Sequence, residues 1–69
     1  MTTNQSLARY LESLPEAIRI EKSRDIRNLL GISRAKLSNW RRDVTPLHPL
    51  FLREISKIVG EDLMKDVTI

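Results

Sequence analysis

The sequence predicts an all-α protein, a compact bundle of four to five short helices. Three observations carry this. Apolar residues recur at helical spacing in several separate stretches, no segment alternates with period two, and glycine stands only at positions 31 and 60, where helical patterns stop. At 69 residues the chain is one domain, 1–69, close to the lower size limit for folding without staples. It has no cysteine, so neither a disulfide nor a thiolate metal site contributes. The hydrophobic fraction of 41% suffices for a small core, and 30% charged residues is ordinary.

The elements follow in order. Met1 to Gln5 is polar and reads as a frayed end. Ser6 to Leu14 reads as a first helix with Leu7, Tyr10, Leu11 and Leu14 on one stripe, stopped or kinked by Pro15. Glu16 to Glu21 fits either a further helical turn or an extended crossing of the core. A second helix runs from about Ser23 to Leu30, with Ile26, Leu29 and Leu30 inward. Gly31 follows where a helix ends in a left-handed residue, which glycine adopts at little cost. Ser33 caps a third helix from Arg34 to about Arg42, with Ala35, Leu37 and Trp40 as its inner members. Asp43 to His48 is a loop. Pro49 suits the first turn of a fourth helix, whose inner face is Leu50, Leu52, Ile55, Ile58 and Val59 and whose stop is Gly60. Glu61 to Val67 has room for one more short turn.

Residues 22–42 form the pattern of a helix-turn-helix, in which the second helix is presented to a DNA groove. Gly31 tolerates the positive φ that a tight turn between two steeply crossing helices needs. Ile26, Leu30, Ile32, Leu37 and Trp40 supply the facing apolar sides. Ile32 acts as a plug in the turn, and burying it is worth roughly 1.5–3 kcal/mol. The same stretch is the most basic in the chain. Residues 21–42 carry a net +5, the rest of the chain sums to −2, and the whole is +3. One basic face on a slightly acidic body is the footprint expected for a polyanion partner.

The run Leu30-Gly31-Ile32-Ser33-Arg34-Ala35-Lys36-Leu37-Ser38-Asn39-Trp40-Arg41-Arg42 resembles the Xre/Cro-type helix-turn-helix family of phage repressors and activators. The likeness covers about residues 22–60. It implies a sequence-specific transcriptional regulator of double-stranded DNA, with the helix at about 34–42 in the major groove. The chain departs from the pattern at Arg27, where the family has a small residue because the two helices approach closely. An arginine there must pass its stem through the contact and carry its head to water or to a phosphate.

With Ser33 as cap, the outward side chains of the third helix are Arg34, Ala35, Ser38, Asn39 and Arg42. In the family, the positions matching Arg34, Ala35 and Asn39 read bases. Arg34 suits guanine O6 and N7, Asn39 suits adenine, and Ala35 suits a thymine methyl, while Ser33 and Ser38 are adaptable donors. A good bidentate pair discriminates by ~1–3 kcal/mol. Arg24, Lys36, Arg41 and Arg42 are expected on phosphates, as are the backbone amides at a helix start near Ser23.

Other classes fit less well. His48 cannot make a zinc site alone. No nucleophile elbow, phosphate loop or histidine–acid pair is present, so no enzyme, cofactor or small-molecule ligand is expected. No apolar run approaches the ~20 residues that cross a bilayer, and the N-terminus lacks a signal-peptide core, so a cytoplasmic, nucleoid-associated protein is expected. Short regulators of this kind bind as homodimers on paired half-sites. Leu47, Leu50, Phe51, Leu63, Met64, Val67 and Ile69 exceed what a small core requires. Phe51 and the segment 63–69 are therefore either a pairing surface or the closure of the monomer core. The competing function is a protein-interaction module, antitoxin- or adaptor-like, that keeps the fold without reading DNA. The basic outward face of the third helix favours DNA. The ending Asp66-Val67-Thr68-Ile69 is unlike a flexible linker, which favours a complete small protein over a DNA-binding part of a longer one.

Overall fold

The computed structural model describes residues 1–68. Four helices follow one another: α1 (Thr3–Glu12), α2 (Glu16–Leu30), α3 (Arg34–Arg41) and α4 (Pro49–Val59). No strand occurs among the described residues. The globule measures 30 × 20 × 19 Å. α1 touches all three other helices, α2 packs on α4, and α2 also meets α3. The core is Leu7, Tyr10 and Leu11 from α1, Ile26 from α2, Leu37 and Trp40 from α3, Leu47, Leu52 and Ile55, and Leu63.

α1 begins earlier than the sequence pattern predicts. Thr2 caps it, accepting from Gln5 N, while the Gln5 side chain accepts from Thr2 N in a capping box. The polar start that reads as frayed is held by buried polar side chains. Asn4 Nδ2 donates to Trp40 O (3.0 Å) and Thr45 O (2.8 Å), and Asn4 Oδ1 accepts from Leu47 N (3.0 Å). Thr3 Oγ1 donates to Leu47 O, and Ser6 Oγ donates to Leu63 O. Polar side chains are buried without penalty when such partners exist.

The stretch Glu16 to Glu21 is helical and continuous with the second helix, so α2 is 15 residues long and starts immediately after Pro15. Proline stops α1 and opens α2 with its φ of −56°, while its carbonyl accepts from Arg19 N at 2.8 Å. Ser23 therefore lies in a helix interior, where the i→i−4 ladder takes its amide. Its expected role as a helix start offering amides to a phosphate is corrected accordingly. Ile26 is fully buried and Leu30 packs against the core, but Leu29 is 70% exposed, against its expected inward position. Leu50, also expected inside, is exposed, and so is Ala35, which the sequence pattern places both among the inner members and in the outward set.

Gly31 ends α2 at φ 66°, ψ 34°, and both its own amide and Ile32 N donate to Arg27 O. Ile32 packs against the core as the plug the sequence calls for. Ser33 Oγ accepts from Lys36 N at 3.1 Å and caps α3. His48 Nδ1 accepts from Leu50 N and caps α4, with Pro49 at its first position and Gly60 (φ 76°) past its end. Residues 61–68 form turns without a further helix. Ser56 Oγ accepts from Leu63 N, which pins Leu63 into the core, and Met64 and Val67 pack beside it. Met1 and Thr68 are joined through Thr68 N and Met1 O at 3.1 Å.

Candidate nucleic-acid interface

α3 has eight residues, too few to be helical alone. It is helical because Leu37 and Trp40 are seated in the core, Ser33 caps one end, and Asn4 holds the Trp40 carbonyl at the other. The side chains opposite Leu37 and Trp40 face solvent. Arg34, Ala35, Lys36 and Arg42 are exposed, and Asn39 is half-buried beside them. All five were singled out from the sequence; Arg34, Ala35, Asn39 and Arg42 share the side away from the core, and Lys36 stands on the flank beside Trp40.

The others are placed differently. Ser33 is exposed, but its hydroxyl oxygen is engaged by the cap. Arg24 is exposed on α2, while Ser23 is half-buried with its carbonyl accepting from Arg27 Nε at 3.4 Å. Lys36 Nζ lies 5.6 Å from the Trp40 ring centroid and 5.9 Å from that of Phe51. The two rings stand 5.6 Å apart. This lysine is held over an aromatic pair, a placement that orients its charge without neutralising it.

Ser38 and Arg41 turn from the outward face toward α2. There they meet a second stripe, and the two helices enclose a groove of about 460 Å³. Arg34, Ser38 and Arg41 line it from α3, and Arg19, Ser23 and Arg27 from α2, with Ile20 and Leu37 as apolar wall. Both sets follow helical spacing of three or four residues, which puts each on one face. Arg19 was not among the site residues expected from the sequence, and Arg27 stood there only as a departure from the pattern whose head reaches water or a phosphate. The signal was the spacing 19, 23, 27, which lines up once α2 is read as one helix from Glu16.

No carboxylate neutralises this surface. Among the described residues the one ion pair is Lys57–Glu54, both exposed on α4 and 3.4 Å apart. Arg19 Nη2 donates to Leu14 O at 3.2 Å. The Nε atoms of Arg19 and Arg41 are shielded from solvent and have no acceptor.

Compared with protein-family models, curated proteins and solved structures, the chain matches none. The likeness to the Xre/Cro-type motif therefore rests on the residues quoted for it. No helix among the described residues is long and apolar enough to cross a membrane.

Proposed function

We propose that the chain is a sequence-specific double-stranded DNA-binding regulator whose α3 enters the major groove. The observation that carries this reading is the polarity of α3. Arg34 and Lys36, with Arg42 just past its end, are exposed without ion-pair partners, and Leu37 and Trp40 hold it from behind. Arg34, Ala35 and Asn39 are the base-reading set, with Ser38 at the edge of the groove and Ser33 at the cap. Arg24, Lys36, Arg41 and Arg42 set position on phosphates. An interaction module would need an acidic partner to compensate this arginine surface.

Selection of bound sequences from random duplex, followed by salt titration, tests it. Arg34→Ala relaxes preference at one base position. Arg24→Ala weakens all sequences alike and lowers the salt slope by about one. If the two variants behave identically, or if wild-type protein enriches no sequence, the reading fails.

The regulator works as a homodimer in this reading, since one eight-residue helix covers only a half-site. Phe51 is 41% exposed and lies next to exposed Leu50, which supports a pairing surface at the start of α4. In the segment 63–69, Leu63 belongs to the monomer core, Met64 and Val67 pack against it, and Ile69 lies outside the described residues. The pairing surface proposed is accordingly centred on Phe51, with the segment 63–69 at its border. Sedimentation with and without duplex decides: Phe51→Ser gives a monomer where wild type gives a dimer. A wild type that stays monomeric at high concentration on its site removes the dimer from the proposal.

A further inference from the structure

The geometry points to a chain-specific phosphate seat in the groove between α2 and α3, where one strand of the bound duplex passes between Arg19 and Arg27 on one wall and Arg34 and Arg41 on the other. This rests on the duplex-binding reading above and goes beyond it, because it assigns Arg19 and Arg27 to the interface and fixes where the strand runs.

Four guanidinium groups line one groove with no carboxylate among the lining residues. Such a surface is completed by an anion supplied from outside. Arg19 Nε and Arg41 Nε, on opposite walls, are both shielded and without an acceptor. A desolvated charged donor lacking an acceptor is costly, so an arriving oxyanion that lets the guanidinium turn its Nε edge toward it gains most at these two places. A phosphodiester offers two unbridged oxygens, which matches the side-on fork of arginine.

The occupant follows from continuity. Arg34 stands both in the groove and at the start of the outward face of α3, and Ser38 joins the two surfaces. A ligand in the groove is therefore continuous with a ligand lying on α3. A nucleic-acid strand presents an oxyanion at every nucleotide along that path, and the carbon face of its sugar suits Ile20, which is 59% exposed at the wall. Arg27 is where the chain departs from the pattern it resembles. It stands half-buried in the crook, its Nε tied to Ser23 O, where a small side chain would let the helices close.

The test uses the full chain and the duplex enriched by selection, with a neutral methylphosphonate placed at each phosphate in turn. For wild type, one position or two adjacent positions per half-site weaken binding at least about tenfold. For the Arg19→Gln/Arg27→Gln pair the same substitutions cost less than about twofold, the salt slope falls by about two, and base preference is unchanged. The Arg19→Lys/Arg27→Lys pair keeps the wild-type slope, which separates lost charge from lost fold. A glutamine pair that keeps the wild-type methylphosphonate pattern and base preference overturns the seat and leaves duplex reading intact. Absence of any enriched duplex for wild type overturns both. Polyglutamate that shifts the Arg19 and Arg41 Nε–H resonances as strongly as duplex at equal salt overturns the phosphate assignment in favour of an acidic protein segment.

Discussion

Asn4 is the residue on which the placement of α3 most depends, and Asn4→Ala measures how much. Its side chain makes three hydrogen bonds to backbone groups 36 to 43 residues away. They differ in what their loss leaves behind. Leu47 N is buried with Asn4 Oδ1 as its acceptor, so its loss strands a desolvated donor. Trp40 O keeps a second partner, since Asp43 N donates to it at 3.2 Å, and Thr45 O lies in an exposed residue that water reaches. One stranded group and two weakened ones together cost about 3 kcal/mol. A single core in a chain of this size rarely supplies more than about 3–5 kcal/mol. Asn4→Ala is therefore partly unfolded at 25 °C in the absence of a ligand. The assay is urea denaturation followed by the fluorescence of Trp40, the single tryptophan, which is 2% exposed and reports the seat of α3 directly. The expected result is a midpoint shifted far toward zero urea with an unchanged slope. A loss under about 1 kcal/mol would show that water or the loop replaces the side chain at no cost, and would refute the claim that α1 fixes α3.

Three further outcomes follow from local physics. Burial, and then the charge of Glu61, raise the Tyr10 hydroxyl pKa above its ordinary 10.0, so the folded state holds the proton more tightly. That contribution to stability is complete below pH 10 and is lost as pH rises through the raised value; Tyr10→Phe flattens this alkaline decline, as urea titrations at pH 8 and pH 11 would read. Gly31→Ala places a Cβ in open space but holds a non-glycine residue at φ 66°, so it costs ~1–2 kcal/mol by strain alone, and Gly31→Asn costs less by the same denaturation assay. Because the groove gathers like charges and the one ion pair among the described residues is exposed, salt between ~0.02 and ~0.3 M raises the melting temperature by screening repulsion. A melting temperature that falls with salt would show that attraction dominates at this surface.

The sequence carried the helical class, the α2–α3 turn and two of the three inner residues expected in α3, Leu37 and Trp40, because each rests on a local rule. Gly31, Ile32 and Ser33 have one role apiece, set by φ, burial and capping. It was weaker where burial and polarity part company. Asn4 and Ser6 are polar and buried because their partners come from Trp40, Thr45, Leu47 and Leu63, which no local pattern displays. Leu29 and Leu50 are apolar and exposed, and apolar residues at a surface are common enough that helical spacing alone cannot exclude them. The start of α2 was obscured by Pro15, which serves as terminator of one helix and entry to the next. That ambiguity hid the alignment of Arg19 with Ser23 and Arg27, and with it half of the groove.

The two faces of α3 are linked by the shortness of the helix. Eight residues cannot hold their own geometry, so every basic side chain it displays is positioned from the rear. Gly31, Ile32 and the Ser33 cap set its first turn, Asn4 holds the Trp40 carbonyl in its last turn, and Leu37 and Trp40 fix its rotation about its own axis. A change at Asn4, 36 residues away in sequence from the Trp40 carbonyl it binds, therefore acts on Arg34 and Asn39 only by releasing α3 as a whole, without touching them. The same rigidity sets the groove, since Arg41 is turned toward α2 by the rotation that buries Trp40 beside it. In the proposed function, base reading and phosphate seating are consequences of how one short helix is clamped. Asn4→Ala would then weaken duplex binding in proportion to the folded fraction it removes, with base preference intact in the molecules that remain folded.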